Sequence, residues 1–418
     1  MSALPTLSLE ALSRAVRDAV AVRAVLTLQP AGGKGSKVFP PTYASAKEGA
    51  DKGHFGHTKY ATETRRIDGQ DVPCVLLDSV ASQANRFEQA LLDAWESEEL
   101  DFPVLRVDFS DADLPEAVGT VTTLDAPHRI YDAILRDSVD DQGMLFRMTP
   151  SGKAITAASP RDATALFELC PTALVFGAWD STGHKGGLGS KFPRAIASEI
   201  VGVDVQTGSK VGGRLDPLGI QKVMDVVYGA EGTEKWTTDK PGPKAKALAP
   251  SEINHGNIAP TRVVDNGGVT FDHARQTTVL SIPALRRLKF PKQLSGEPHA
   301  NRRQAEHAAH TALAALAIAG VANAHHQGHD LRSGTLLVAQ GPLVLEIVEA
   351  DGTTPHRFQL SVDAAASLLT AATQASAAVG LGWQREPVPT LRPAPKLLTL
   401  LRASQEHAMT KAADAAEE

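Results

Sequence analysis

Apolar and polar residues alternate with period two in some stretches of this chain and recur with a helical period in others. Residues 21–29 (AVRAVLTLQ) alternate and are followed by turn residues, which predicts a strand. The same reading predicts strands at 104–109 (VLRVDF), at 196–205 (IASEIVGVDV) and, as one or two strands, at 269–282. The short apolar run 173–179 predicts another strand, and LLVAQGPLVLEIV at 336–348 a hairpin about Gln340–Gly341. In SQANRFEQALLDAWESEEL, Phe87, Leu91, Leu92 and Trp95 fall at helical spacing, with Ser82 as the N-cap. Helices are also predicted at 162–169, from Arg302 to Val321 and from Val362 to Val379. Residues 44–73, 110–160 and 229–250 keep no clear period and read as irregular or inserted segments. No repeat of fixed period is present. The mixture predicts an α+β fold, a single domain over 15–385 with insertions at about 44–73, 110–160 and 203–260, then a C-terminal helical tail at 386–418.

Composition narrows the class. The 418 residues, 42% hydrophobic and 22% charged, suit a soluble globular protein with a sizeable core. Two cysteines, Cys74 and Cys170, make no disulfide framework, so a reducing, cytoplasmic setting is expected. The apolar segment Ala15–Leu28 is broken by Arg17, Asp18 and Arg23, and the run Ala308–Ala324 carries His310, so no membrane partner is expected. The net charge of −6 is unevenly spread. Glu88 to Asp141 holds fifteen acids and three bases, a net of −12, which leaves +6 for the remainder. A polyanionic partner is therefore not excluded.

The densest chemistry lies in 174–202, LVFGAWDSTGHKGGLGSKFPRAIASEIVG. An apolar run ends in a loop containing Gly177, Gly183, Gly186, Gly187 and Gly189, with His184, Lys185, Lys191 and Arg194 in or just past it. Glycines let backbone N–H groups approach an anion and the cations neutralise it. A Walker loop requires Gly-Lys-Ser/Thr, but here Ser190 precedes Lys191. A dinucleotide fingerprint fails too, because Phe192 stands where its third glycine is needed. A second loop, Gly32-Gly33-Lys34-Gly35-Ser36-Lys37, repeats the composition, and two such loops suit a long polyanion better than one small phosphate. Other candidates are the polar start of the 82–100 helix (Asp78, Ser79, Gln83, Asn85, Arg86) and the turn Asn254-His255-Gly256-Asn257. The basic run Arg286–Arg303 reads as a solvated helix face. Six histidines fall within 299–329, and His307, His310 and His329 offer an alternative, a metal-dependent phosphohydrolase or RNase. Aromatics are only 5%, so a nucleic-acid ligand is expected to be held by its backbone, with most base edges free.

Taken together, KVFPPTYA (37–44), VLLDSVASQANRFE (75–88), LVFGAWDSTG…GSKFPRAIASEIVG (174–202), SEINHGNI (251–258) and GGVTFDHARQTTVLSIPALRRL (267–288) resemble the backbone subunit of type I CRISPR interference complexes. The resemblance is to the large RAMP-superfamily protein of subtype I-G (formerly I-U) and runs from about residue 15 to 380. It implies an RRM-like (ferredoxin-like) palm with thumb- and fingers-type insertions, the thumb being placed within 203–260. It also implies a non-enzymatic role without cofactors. Copies stack head-to-tail as a helical filament along a CRISPR guide RNA. With other Cascade subunits they present its bases to target DNA, and a separate helicase-nuclease does the cutting. The implied guide contacts are Lys34 and Lys37; Ser82, Gln83, Asn85 and Arg86; Lys185, Lys191 and Arg194; and Asn254, His255 and Asn257. Type III relatives cleave RNA with an aspartate, but no motif assigns that role to Asp78 or Asp180.

Overall fold

Strict alternation builds the central sheet. In β1 (Ala21–Pro30), Val22, Ala24, Leu26 and Leu28 point into the core while Arg23, Val25 and Thr27 point out. The strand His273–Ser281 alternates along its whole length, burying Ala274, Gln276, Thr278 and Leu280. The computed structural model describes residues 4–43, 58–181, 189–221, 227–229, 236–239, 247–384 and 390–417.

Nine strands form the main sheet: β1, β2 (Thr62–Ile67), β3 (Gln70–Asp78), β4 (Ile196–Val203), β5 (His273–Ser281), β6 (His329–Arg332), β7 (Thr335–Ala339), β8 (Val344–Val348) and β9 (His356–Gln359). Their order is β6-β7-β1-β5-β4-β3-β2, with β8 continuing beside β1 and β9 pairing β8. Every pairing in this sheet is antiparallel. The predicted 336–348 hairpin is not formed. Leu28 pairs Ala339 and Ala24 pairs Leu345, so β7 and β8 follow one another along β1 as a single interrupted strand, with Gln340–Leu343 looping out. The turn residues there interrupt a strand instead of reversing it. The prediction that 44–73 is irregular holds over 58–61, apart from a bridge at Tyr60, and fails beyond them. Residues 62–73 belong to the β2–β3 hairpin, whose strand pattern is masked by its charged, half-exposed side chains, and 44–57 lie outside the described residues.

β3 and β6 are separated in pairing order by β7, β1, β5 and β4, yet the sheet curls enough to bring them together. Arg332 Nη1 donates to Leu77 O (3.0 Å), Arg86 Nη2 donates to Leu331 O (2.6 Å), and Arg86 Nε donates to Asp78 Oδ2 (2.9 Å).

Helices of ten residues or more cover one face: α1 (Leu9–Asp18), α2 (Val80–Glu96), α3 (Arg302–Gln327) and α4 (Val362–Ala377), while α5 (Pro395–Glu417) closes the chain. Ser8, Ser79, Asn301 and Ser361 cap the first four, each side-chain oxygen accepting a backbone N–H of the first turn. The α2 cap is thus Ser79, which accepts from the Ser82 amide, and not Ser82 itself. α3 buries an almost continuous run from Ala309 to Asn323 between α2, α4 and α1. Its Gly320 lets α2 approach, since a Cβ there would lie 3.3 Å from Leu91. The predicted strand at 173–179 is instead a helix over Pro171–Phe176, ended by Gly177 at φ 84°, and only Ala178–Trp179 are extended. All six helical residues are buried, and a short wholly apolar run carries no period that separates strand from helix.

A smaller four-stranded sheet is ordered Thr120–Thr122, Arg106–Asp108, Thr390–Pro393, Ser138–Val139. The C-terminal segment therefore supplies a strand to the acidic region. Its cations answer that charge within the chain: Arg392 meets Asp111 (3.1 Å), Lys396 meets Asp137 (2.7 Å) and Arg402 meets Asp113 (3.3 Å). Arg136 foremost, with Lys396, holds the Asp137 carboxyl down at about 2. Among the described residues no helix is long and apolar enough to cross a membrane.

Candidate nucleic-acid interface

The first Gly/Lys loop leaves the end of β1 through tight turns, with Gly33 N bonded to Pro30 O (2.8 Å) and Ser36 N to Gly33 O (3.1 Å). Gly33 and Gly35 hold φ of 90° and 80° with open space where a Cβ would stand, so backbone conformation and not crowding requires glycine. The two lysines differ. Lys37 Nζ donates to Ser209 O (2.6 Å), and its stem crosses Gly268 so closely that a Cβ there would sit 2.5 Å away. Lys37 thus straps the loop to the root of the 204–268 insertion. Lys34 is 74% exposed and, among the described residues, reaches only the solvent-facing Asp272 (3.4 Å), a pair weak enough to exchange for another anion.

At the start of α2 the four candidates also separate. Gln83 is 2% exposed and committed inside: Nε2 donates to Asp78 Oδ2 (2.6 Å), and Oε1 accepts from Ser198 Oγ (2.9 Å) and Gln276 Nε2 (2.7 Å). Arg86 is spent on the bridge between β3 and β6. Asn85 faces solvent and Ser82 is half-buried.

The glycine loop of 178–192 is a ribbon at its root. Ala178 pairs Phe192, and Trp179 pairs Lys191. Arg129 Nη1 donates to Gly177 O (3.1 Å), Arg147 pairs Asp180 (2.9 Å), and Ser190 Oγ donates to Ala158 O. Arg129 is itself held by a bidentate bond to Glu88 (2.5 and 2.6 Å), both side chains lying inside the protein. Burial raises the Glu88 pKa and the Arg129 fork opposes that rise. Arg194 donates to Phe176 O (3.2 Å) and Val80 O (3.1 Å), joining the loop's exit to the start of α2. Burial, with Arg129 nearby, pushes its guanidinium below the ordinary value. Lys191, by contrast, is exposed with its Nζ 5.7 Å from the Trp179 ring centroid. Lys185 lies outside the described residues.

The Asn254–Asn257 turn is tied to the strand Lys210–Arg214 and to Asp216 just beyond that strand. Asp216 accepts from Gly256 N (2.6 Å), Asn257 Oδ1 accepts from Asp216 N (2.7 Å), and Arg214 donates to His255 O (2.7 Å). Asn254 is exposed at φ 60°, a left-handed conformation that Asn tolerates. The His255 ring meets Trp236 edge-on at 6.1 Å.

The histidines do not converge. His307 bonds Ser13 Oγ (2.8 Å), His310 bonds Leu288 O (2.9 Å) and His329 bonds Gln276 Oε1 (3.0 Å). Burial brings the pKa of His310 and of His329 down to about 4. Among the described residues no three His, Cys, Asp or Glu side chains are grouped to hold a metal ion. Half of the basic run is engaged: Arg286 donates to Val16 O (2.8 Å), and Arg302 and Lys289 both pair with Glu306 (2.9 and 3.5 Å).

Sequence reasoning missed Arg129, Glu88, Arg214 and Asp216, whose roles depend on partners 40 or more positions away in the chain. It also passed over Trp179, although a tryptophan ending an apolar run beside a Gly/Lys loop is visible in the sequence.

No curated protein matches the chain. The crystal structure of Thermofilum pendens Csc2 matches at 12% identity with a TM-score of 0.21, over 68% of this chain. The chain spans 65% of that structure's length. Residues 22–207 match the family model described as CRISPR-associated protein GSU0053, and this match supports a CRISPR-associated protein.

Proposed function

We propose that the chain is a non-enzymatic, guide-RNA-binding backbone subunit of a cytoplasmic CRISPR interference complex, of the RAMP superfamily and subtype I-G. The observation that carries the reading is the family match over 22–207, because that span contains every candidate contact except the Asn254–Asn257 turn. The RRM-like palm is supported by strand order. β1, α2, β4, β5, α3 and then β7 follow in sequence, and their strands lie in the order β7-β1-β5-β4, antiparallel throughout, with both helices packed together. That is a βαββαβ unit whose helices cross over one face.

Within this reading Lys34, Lys191, Asn85 and Asn254 face the guide, as exposed polar groups able to meet phosphate or ribose. Lys37, Gln83, Arg86, Arg194 and Asn257 position them, being bonded within the protein. Further copies, other Cascade subunits, a recruited helicase-nuclease and target DNA paired to the guide complete the assembly. The test is binding of single-stranded RNA by the purified chain at several salt concentrations. Salt-sensitive binding weakened by Lys34→Ala with Lys191→Ala supports the reading; binding that ignores both salt and these substitutions refutes it.

A further inference from the structure

The chain has few aromatic residues, and among those with described burial the exposed ones are Tyr43, Trp179 and Trp236, at 44%, 48% and 44%. Each sits at a candidate segment. Tyr43 follows the first Gly/Lys loop, Trp236 meets His255, and Trp179 meets Lys191. Trp179 is the most firmly built of the three. It is directly opposite Lys191 across the ribbon, while the neighbouring pair, Ala178 and Phe192, is buried and turns the Trp179–Lys191 pair outward. The bond from Asp180 N to Ser190 O (2.9 Å), the Arg147–Asp180 ion pair and the Arg129 bond to Gly177 O fix the ribbon on both sides of the ring. The indole is therefore held in place with nearly half its surface open and an ammonium 5.7 Å from its centroid.

We infer that Trp179 and Lys191 form a stacking platform for one unpaired nucleobase of a single-stranded nucleic acid, the ring taking the base and the lysine the adjoining phosphate. This deepens, and rests on, the RNA-binding reading above. The low aromatic content leads to an expectation of backbone contact with most base edges free, and one stacked base is compatible with it. A paired helix hides its base faces within the stack, so the occupant is a base outside a duplex. A platform of this kind tolerates any base, because every base offers a π face.

The test uses the full chain with two probes of equal length, an oligoadenylate and an abasic ribose-phosphate strand, followed by tryptophan fluorescence and by affinity at fixed low salt. Oligoadenylate should quench the fluorescence of the wild type. Trp179→Leu should lose that quenching and bind oligoadenylate roughly tenfold more weakly, while binding the abasic strand as the wild type does. Trp179→Phe, which keeps a ring, should retain most of the affinity. Trp179→Leu binding oligoadenylate as tightly as the wild type, with the abasic strand also bound, overturns the stacking inference and leaves the RNA reading standing. If the wild type binds neither strand, the RNA reading falls and this inference with it.

Discussion

Arg129→Ala tests whether the root of the glycine loop is held as described. The Arg129 fork donates to both oxygens of Glu88, which is 2% exposed, and its remaining nitrogen donates to Gly177 O. Truncation leaves a carboxylate in the interior without its main partner. Removing one member of a buried ion pair costs about 3–5 kcal/mol. Arg194 also acts on Glu88 and compensates in part, which places the expectation near the lower end, at about 3 kcal/mol. Against a typical total of roughly 5–15 kcal/mol, that is a large fraction. Urea denaturation should show the midpoint falling with the slope unchanged. The double variant Glu88→Gln with Arg129→Met removes both charges and should recover much of the loss, since an apolar replacement of a buried pair is often neutral. A loss below about 1 kcal/mol for Arg129→Ala would refute the buried pair as the anchor of this loop.

Acid should destabilise the protein through His310 and His329. Their folded pKa is about 4 against about 6.5 unfolded, so between these values the unfolded state binds more protons and stability falls with pH. The loss from pH 7 to pH 5 is about 2 kcal/mol per histidine, readable as urea midpoints at the two pH values, and a pH-independent midpoint contradicts it. Lys34→Ala and Lys191→Ala should each flatten the slope of log affinity for single-stranded RNA against log salt by about 0.7, and an unchanged slope removes that lysine from the interface. Gln83→Ala should leave the slope alone and lower stability by about 1–3 kcal/mol, because Asp78, Ser198 and Gln276 lose their shared partner. Deleting residues 390–418 removes an inner strand of the smaller sheet, so hydrogen exchange should accelerate at Arg106–Asp108 and not in β1 or β5; unchanged exchange there contradicts the pairing.

Much of the fold is legible where one face of an element is buried. β1 and β5 alternate because helices cover one side of the sheet and not the other, and α3 announces itself by length and alanine content. Legibility fails where burial is complete or the chain turns without reversing. Residues 171–176 are buried all round and so carry no period, and Gln340–Gly341 resemble a hairpin turn although they interrupt a strand held by β1. At the site, residue types are visible but their commitments are not. Nothing local distinguishes Lys34 from Lys37; both are exposed, but Ser209, far along the chain, ties down Lys37, while Lys34 meets the solvent-facing Asp272. Gln83 and Asn85 are two positions apart and so on opposite sides of α2; the helical period that places Phe87 and Leu91 inside already turns Gln83 inward, and only its partners on β4 and β5 are hidden from the sequence.

The proposed function requires this chain to hold a guide RNA. The most direct measurement is to purify it without nuclease at low salt, extract what it carries, and digest that material separately with RNase and DNase. Guide-RNA binding predicts that the extract contains RNA, lost on RNase but not on DNase treatment, together with a fall in the 260/280 nm absorbance ratio and in particle size. A preparation that carries no RNA, and whose absorbance ratio and size are the same before and after RNase, would contradict it.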